Sequence, residues 1–126
     1  MKIEDFFNQQ NVIELSFFNF ENAITAAYFA RENLEIIRVN DNFRKFFPVL
    51  GNVSNAYFPD VLVQLGVSVE QVEQFVRDIN EKGWVLIPKV PINMDGKEKI
   101  YSLLSTRTRN DSFSYLNGVQ GQFVDR

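Results

Sequence analysis

The spacing of apolar and polar positions changes its period several times along the chain, and each change predicts an element. Residues 34–39 are rich in β-branched side chains, which favour a pleated backbone and predict a strand. Asn40 follows as a turn and helix N-cap residue. The next apolar residues fall at the i, i+3 and i+4 spacing of one helix face: Phe43, Phe46 and Phe47. This segment therefore predicts a strand that passes directly into an aromatic-faced helix.

The first 24 residues carry apolar side chains at helical spacing, interrupted by polar residues 8–11. This pattern predicts a short helix, a joint and a second helix. These apolar side chains lie on one helix face, and the segment is too short to bury them in a core of its own. They must therefore pack on the sheet or on a partner chain. We expect residues 1–24 to form a helical cap that dimerises. The candidate contacts are Ile3, Phe6, Phe7, Ile13 and Phe17.

The middle of the chain is predicted to be helical. Pro48 should end the first aromatic helix, because it has no amide to continue the ladder. A further turn of helix is expected over residues 60–65. The clearest helix covers residues 68–82, where Ser68 and Gln71 have the spacing of a capping box. Gly83 should terminate it in the left-handed conformation.

The last third is predicted to be β-structure. Three strands are expected, over residues 84–92, 99–109 and 113–124. Pro88 and Pro91 cannot donate to a ladder, so they indicate an edge strand or a bulge. Asp95-Gly96 predicts a hairpin turn. Gly118 and Gly121, within the last strand, suggest twist or the close approach of another group.

Two further strands are predicted earlier in the chain, over residues 25–30 and 34–39. The order is therefore helix, two strands, several helices and three strands. The two antiparallel groups can join into one five-stranded sheet whose helices cover one face. We expect an α+β domain over residues 25–126, preceded by the helical segment of residues 1–24.

Composition narrows the class of protein. The chain has 126 residues, which fits one domain, and a formal net charge of −3 without a cluster of Lys and Arg. A nucleic-acid partner is therefore not expected, since it needs concentrated positive charge. No apolar run approaches the roughly 20 residues that cross a bilayer, and the acidic N-terminus lacks a signal-peptide core. We expect a cytoplasmic protein without a membrane partner.

The chain contains no Cys and no His. Within it, a disulfide framework, a thiolate nucleophile, a thiolate zinc site and a His-ligated haem are therefore excluded. Catalytic triads that use His are excluded too. Any chemistry must come from Asp, Glu, Lys, Tyr, Ser and Thr.

With these elements in place, the chain resembles a PAS (Per-Arnt-Sim) domain from about residue 15 onward. Residues 36–43, Ile-Ile-Arg-Val-Asn-Asp-Asn-Phe, are similar to that family's second strand and following helix, including its characteristic Asn. Asp95-Gly96 stands where the family turns between its third and fourth strands. Residues 118–125 are similar to its last strand, which in many members runs into Asp-Ile-Thr, although only Asp125 matches here.

The resemblance implies a sensory module of a larger signalling protein, placed upstream of a kinase, cyclase or similar effector. Such modules often dimerise through an N-terminal helix. Because the last predicted strand ends close to Arg126, we expect the effector to follow on the same polypeptide. The adduct-forming flavin branch needs a Cys and the haem branch usually a His, so neither is expected. Flavin without a Cys adduct, a small organic ligand, or a purely protein–protein role stays open.

Several side chains are candidates to line a ligand pocket between the sheet and the helices. They are Phe29, Asn40, Phe43, Phe47, Phe58, Trp84, Tyr101 and Leu103. For the aromatic residues the competing interpretation is ordinary core packing. For Asn40 it is a structural tie between strand and helix. Arg38 either points inward to an anion or lies on the surface, and the Arg107–Arg109 pair either clamps an acidic group or is solvated.

Two other classes of function fit the same pattern. A small α+β enzyme of the cone-shaped isomerase or hydrolase type could work with Asp, Glu and Tyr alone. It would need two carboxylates in one pocket, and Glu35 is the main carboxylate on the predicted core strands. The other alternative is a partner-recognition module with a filled core.

Overall fold

The computed structural model describes residues 24–109 and 117–125, which form a five-stranded antiparallel sheet with helices packed on one face. This is the α+β architecture that the sequence predicts. The elements are β1 (Ala26–Ala30), β2 (Ile36–Val39), α1 (Asp41–Phe46), a 3-10 turn (Pro48–Leu50), α2 (Phe58–Gln64), α3 (Val69–Lys82), β3 (Trp84–Met94), β4 (Lys97–Thr108) and β5 (Gly118–Asp125).

The predicted N-terminal helices lie outside the described residues. So do the five dimerisation candidates, which are Ile3, Phe6, Phe7, Ile13 and Phe17. The division into residues 1–24 and 25–126 therefore stays a prediction. No helix in the described ranges has both the length and the apolar character needed to cross a membrane.

The strand order is β2-β1-β5-β4-β3, so the last strand of the chain lies at the centre of the sheet. β5 pairs with β1 on one side and with β4 on the other. The hairpin between β3 and β4 turns at Asp95-Gly96, as predicted, with φ of 53° and 79°. Residues distant in sequence therefore meet across β5.

β3 is both an edge strand and a bulged one, which accounts for its prolines. The register to β4 shifts between Ile87 and Val90, and Pro88 lies inside this shift. Before the bulge, odd-numbered residues such as Val85 are buried, whereas after it Val90 and Ile92 are buried. The bulge therefore keeps both halves of the strand facing the core.

α3 begins and ends as predicted, with one difference at its first turn. Ser68 Oγ accepts a hydrogen bond from the Gln71 amide at 3.3 Å, and Gly83 ends the helix with φ of 80°. The Gln71 side chain does not complete the capping box, because its Nε2 donates to the carbonyl of Lys89 at 2.8 Å. Gln71 thus fastens α3 to β3 instead.

One face of the sheet, here called the inner face, packs against the helices. It carries the buried aromatic side chains Tyr28, Tyr101 and Phe123, and α1, α2 and α3 add Phe43, Phe58 and Phe75. Successive side chains of a strand alternate between the two faces. The opposite or outer face consequently carries the residues between the buried ones, and several of these are apolar.

Candidate functional site

Asn40 ties the start of β1 to the junction of β2 and α1. Its side chain is fully buried. Its Oδ1 accepts hydrogen bonds from the amides of Ala27 at 3.0 Å and Phe43 at 2.9 Å, and its Nδ2 donates to the Thr25 carbonyl at 2.9 Å. These bonds engage both ends of the amide with backbone. Asn40 therefore occupies the position of a scaffold residue, which is one of its two expected roles.

The aromatic pocket candidates of α1 and β4 pack on one another. Phe43 and Phe47 meet edge to face at 5.1 Å between centroids. Phe47 also lies 5.5 Å from Tyr101 and 5.0 Å from Phe123 in the same geometry. Such edge-to-face contacts are favourable for aromatic rings. Between α1 and the sheet these rings therefore contact one another.

Phe58, at the start of α2, continues this aromatic cluster. Its ring stacks on Tyr28 with centroids 3.9 Å apart and an interplanar angle of 15°. It also lies 5.1 Å from Phe75 of α3. Leu103 is fully buried on β4 and belongs to the same core cluster. The structure thus brings together Phe43, Phe47, Phe58, Tyr101 and Leu103, with Asn40 at the margin.

A buried hydroxyl pair lies within this core, and the candidates from sequence did not include it. Tyr28 Oη and Ser105 Oγ are 2.5 Å apart, and both side chains are fully buried. Burial raises the pKa of Tyr28 well above its ordinary value, and the hydrogen bond to Ser105 offsets part of that rise. In the sequence, Gly121 is the residue that indicated a close approach here. A Cβ at this position would overlap both the Tyr28 ring and Ser105 Oγ.

Two pocket candidates, Phe29 and Trp84, lie on the outer face, apart from the other six. On β1 the buried core residues are Ala26, Tyr28 and Ala30, so Phe29 points the other way and is partly exposed. Trp84 precedes Val85 on β3 and is 50% exposed, with Lys82 Nζ 5.6 Å from its ring centroid. The expectation that Trp84 faces the core does not match its position.

Trp84 shares the outer face with several other apolar residues, together called the outer patch. The patch is defined by Trp84, Leu86, Leu104 and Val124. Leu86 pairs directly with Leu104, and Val124 is one step diagonal to Leu104 across the β4–β5 ladder. The patch therefore runs over the three strands β3, β4 and β5.

The charged candidates lie at the surface. Arg107 Nη1 donates to the Glu32 carbonyl at 3.1 Å, and Arg109 Nε is 3.7 Å from the Glu32 carboxylate. Arg38 is exposed on β2. Glu35 accepts a hydrogen bond from the Asn33 side chain in the exposed turn. Within the ranges that the structure describes, no three acidic residues converge where they could hold a metal ion.

Comparisons with known proteins support the fold. No protein-family model matches the sequence, and no curated protein matches it. Among solved structures, the PAS domain of BvgS from Bordetella pertussis has a TM-score of 0.66 at 14% identity, covering 94% of this chain and 88% of that one. The PAS domain of nitrogen regulation protein NR(II) from Vibrio parahaemolyticus has a TM-score of 0.59 at 14% identity, covering 89% and 98%.

A LOV domain from the blue-light activated histidine kinase EL346 of Erythrobacter litoralis is also similar. Its TM-score is 0.58 at 17% identity, and the match covers 82% of this chain and 97% of that one. At such identities a likeness establishes the fold alone. These three matches cover 82–94% of the chain, and they show that it has a PAS-like fold.

Proposed function

We propose that this chain is a non-catalytic sensory or regulatory module of a larger signal-transduction protein, and that it acts through contact with a second copy of itself. The observation that carries the proposal is the contrast between the two faces of the sheet. The inner face is filled with the chain's own aromatic side chains, whereas the outer face presents apolar side chains to solvent.

The filled inner face favours protein contact over a core ligand. Four of the pocket candidates are aromatic and contact one another or neighbouring rings at centroid separations of 3.9 to 6.3 Å, and the fifth, Leu103, is buried within the same cluster. Rings at these distances are in van der Waals contact. A ligand at this place would have to displace them, and this supports the interpretation of the core as scaffold.

The outer patch supports association. Trp84, Leu86 and Val124 are 50%, 48% and 38% exposed. A contiguous group of exposed apolar side chains on one face is typical of an interaction surface. The apolar N-terminal candidates Ile3, Phe6, Phe7, Ile13 and Phe17 precede β1, the strand that pairs with β5. We propose that they and the outer patch form one homodimer contact.

The effector is proposed to lie on the same polypeptide, and a kinase, a cyclase or a similar domain would fit. The Erythrobacter protein is named as a histidine kinase and NR(II) as a nitrogen regulation protein. The final strand, β5, is central in the sheet and contacts β1 and β4 along its length. A change at the dimer contact would therefore reach the strand that leads towards the effector.

The enzyme alternative has less support. It needs two carboxylates with separated pKa values in one pocket. The buried polar side chains of the described residues are Asn40 and Ser105, neither of which is an acid. Glu35, its main candidate, bonds to Asn33 in an exposed turn.

Sedimentation velocity tests the proposed dimer. We expect the full chain to dimerise at high micromolar concentration. A variant lacking residues 1–14 should dissociate at concentrations at least tenfold higher, because it loses four of the five apolar candidates. A matched control is full-length Val63→Ser, which removes an exposed apolar side chain from α2. A chain that is monomeric at high micromolar concentration, with or without residues 1–14, would refute the proposal.

A further inference from the structure

An open cleft of about 420 Å³ borders the sheet at its β2 edge. Its walls are β2 itself, Arg44 of α1 and the loop of residues 51–54. The volume lies within the range of small-molecule sites, which runs from roughly 300 to 1,000 Å³. None of the eight pocket candidates from the sequence lines this cleft, so it is a place separate from the expected core pocket.

Arg44 is held in place at this cleft by two hydrogen bonds. Its Nη1 donates to Asp41 Oδ1 at 2.7 Å, and its Nη2 donates to the Val39 carbonyl at 3.2 Å. A guanidinium carries five N–H donors, so these two bonds leave others for a ligand. The side chain is therefore oriented in advance, which lowers the entropy lost when it binds an anion.

The charge of the cleft contrasts with that of the chain. Arg38 and Arg44 both line it, and the nine described residues that line it include no Asp or Glu. The whole chain has a formal net charge of −3. Two like charges beside one concavity raise the local concentration of anions. The carboxylate of Asp41 pairs with Arg44, is not among these nine residues, and competes with an anion for the Arg44 guanidinium.

The other lining residues are mostly aliphatic or small. Ile37 is 43% exposed on β2, and Val53 lies across from β2 in the loop wall. The loop conformation is fixed by Gly51, whose φ of 63° and ψ of −141° are essentially restricted to glycine. Asn52 Oδ1 also accepts a hydrogen bond from the Ser54 amide at 3.0 Å. The cleft thus has a preformed apolar wall beside its two arginines.

We propose that this cleft binds a small aliphatic carboxylate, with the carboxylate on Arg38 and Arg44 and the alkyl group against Ile37 and Val53. A planar carboxylate matches the fork of a guanidinium and can accept two parallel hydrogen bonds. The short apolar wall fits a branched alkyl group of a few carbons. This site is separate from the outer patch, because none of the four residues of that patch lines it.

Two-dimensional amide NMR of the full chain tests the site, with isovalerate as the probe and uncharged isovaleramide as its isostere. We expect saturable isovalerate shifts confined to residues 36–39, 44 and 51–54, with a dissociation constant in the millimolar range. Arg44→Gln and Arg38→Gln should each weaken binding by about tenfold. Lys45→Gln removes an equal charge from α1 outside the lining and should leave binding unchanged.

A further variant should act in the opposite direction. Asp41→Asn removes the competing carboxylate from Arg44, so isovalerate should bind about threefold more tightly. Thermal melts of every variant establish that it is folded. The assignment is overturned if isovalerate causes no localised shifts, if isovaleramide causes the same ones, or if binding survives unchanged in both arginine variants. Equal shifts with inorganic phosphate would also overturn it, because the apolar wall would then contribute nothing.

Discussion

The inner and outer faces of this sheet are built from the same strands, yet they differ in what their apolar side chains contact. On β4, Leu103 and Ser105 are fully buried beneath the helices, while Leu104 between them faces outward. On β5, Phe123 is fully buried and Val124 beside it is 38% exposed. Alternation along a strand thus gives one domain both a fixed core and an apolar surface.

This difference between the inner and outer faces indicates on which face a signal could act. Burying a large apolar side chain stabilises a protein by about 1.5–3 kcal/mol. On the inner face folding has already realised this gain. On the outer patch it is realised only when a partner covers Trp84, Leu86 and Val124. Changes at the inner face should therefore alter stability, and changes at the outer patch should alter association.

The largest expected effect is on the aromatic stack. Phe58→Ala would leave a cavity beside Tyr28 and Phe75, and we expect it to lower the free energy of unfolding by about 3–5 kcal/mol. Leu86→Ala on the outer patch should lower it by less than about 1 kcal/mol. Urea denaturation measures both. Similar losses for the two variants would remove the distinction between the faces.

Asn40→Ala should have the next largest effect. It would leave the buried amides of Ala27 and Phe43 without their acceptor, and we expect a loss of about 3 kcal/mol. Asn40→Asp keeps an acceptor for both amides but sets a carboxylate oxygen against the Thr25 carbonyl at a buried site, so it should also destabilise the fold. The same denaturation experiment ranks them. If Asn40→Ala were neutral, the tie between β1 and α1 would not hold the fold.

Asn40 and Trp84 show how far the sequence could predict the structure. Helix caps, turns and strand positions depend on neighbours in the chain, so Asn40, Ser68 and Gly83 could be interpreted locally. The face on which Trp84 lies could not. Counting in steps of two from the buried Val90 would put Trp84 inside, but the bulge around Pro88 reverses the phase.

The same limit applies to long-range contacts. In β1, Ala-Ala-Tyr-Phe-Ala is apolar on both faces, so alternation could not assign Phe29 to the outer one. The Tyr28–Ser105 pair joins residues 77 positions apart across β5, and only the sheet order brings them together. The cleft beside β2 combines Arg38, Arg44 and the loop of residues 51–54, a grouping that their spacing in the sequence does not indicate.

Neighbouring residues on β5 offer a closer comparison of the two faces. Gly121→Ala would drive a methyl group into Tyr28 and Ser105, and we expect a loss of about 2 kcal/mol from overpacking. Gln120→Ala changes an exposed residue on the outer face and should stay within about 0.5 kcal/mol of the parent. If Gly121→Ala were tolerated, the side chains around it could shift to accept the methyl group. That result would contradict a closely packed inner face.

The last stability prediction concerns pH. Burial raises the pKa of Tyr28 in the folded state, whereas the unfolded value is about 10. The folded state therefore holds its proton more tightly, and this stabilisation is complete below about pH 10 and is lost as the pH rises above it, by about 1.4 kcal/mol per pH unit. Tyr28→Phe should reduce this slope in denaturation curves at alkaline pH.

Tyr28→Phe should also cost about 1 kcal/mol at neutral pH, because Ser105 loses its partner. Some alkaline slope should persist in the variant, since burial raises the pKa of Tyr101 as well, an effect that Lys99 partly offsets. An unchanged slope would place the Tyr28 hydroxyl in contact with water.

Sedimentation equilibrium of paired surface variants tests the central claim most directly. Leu86→Ser with Val124→Ser changes the outer patch, and Val63→Ser with Val69→Ser changes two helix residues that are 58% and 66% exposed. We expect the parent and the helix variant to be dimers, and the patch variant to be a monomer that still unfolds cooperatively, with a thermal midpoint lowered by the loss of association. A patch variant that dimerises as tightly as the parent would contradict the account.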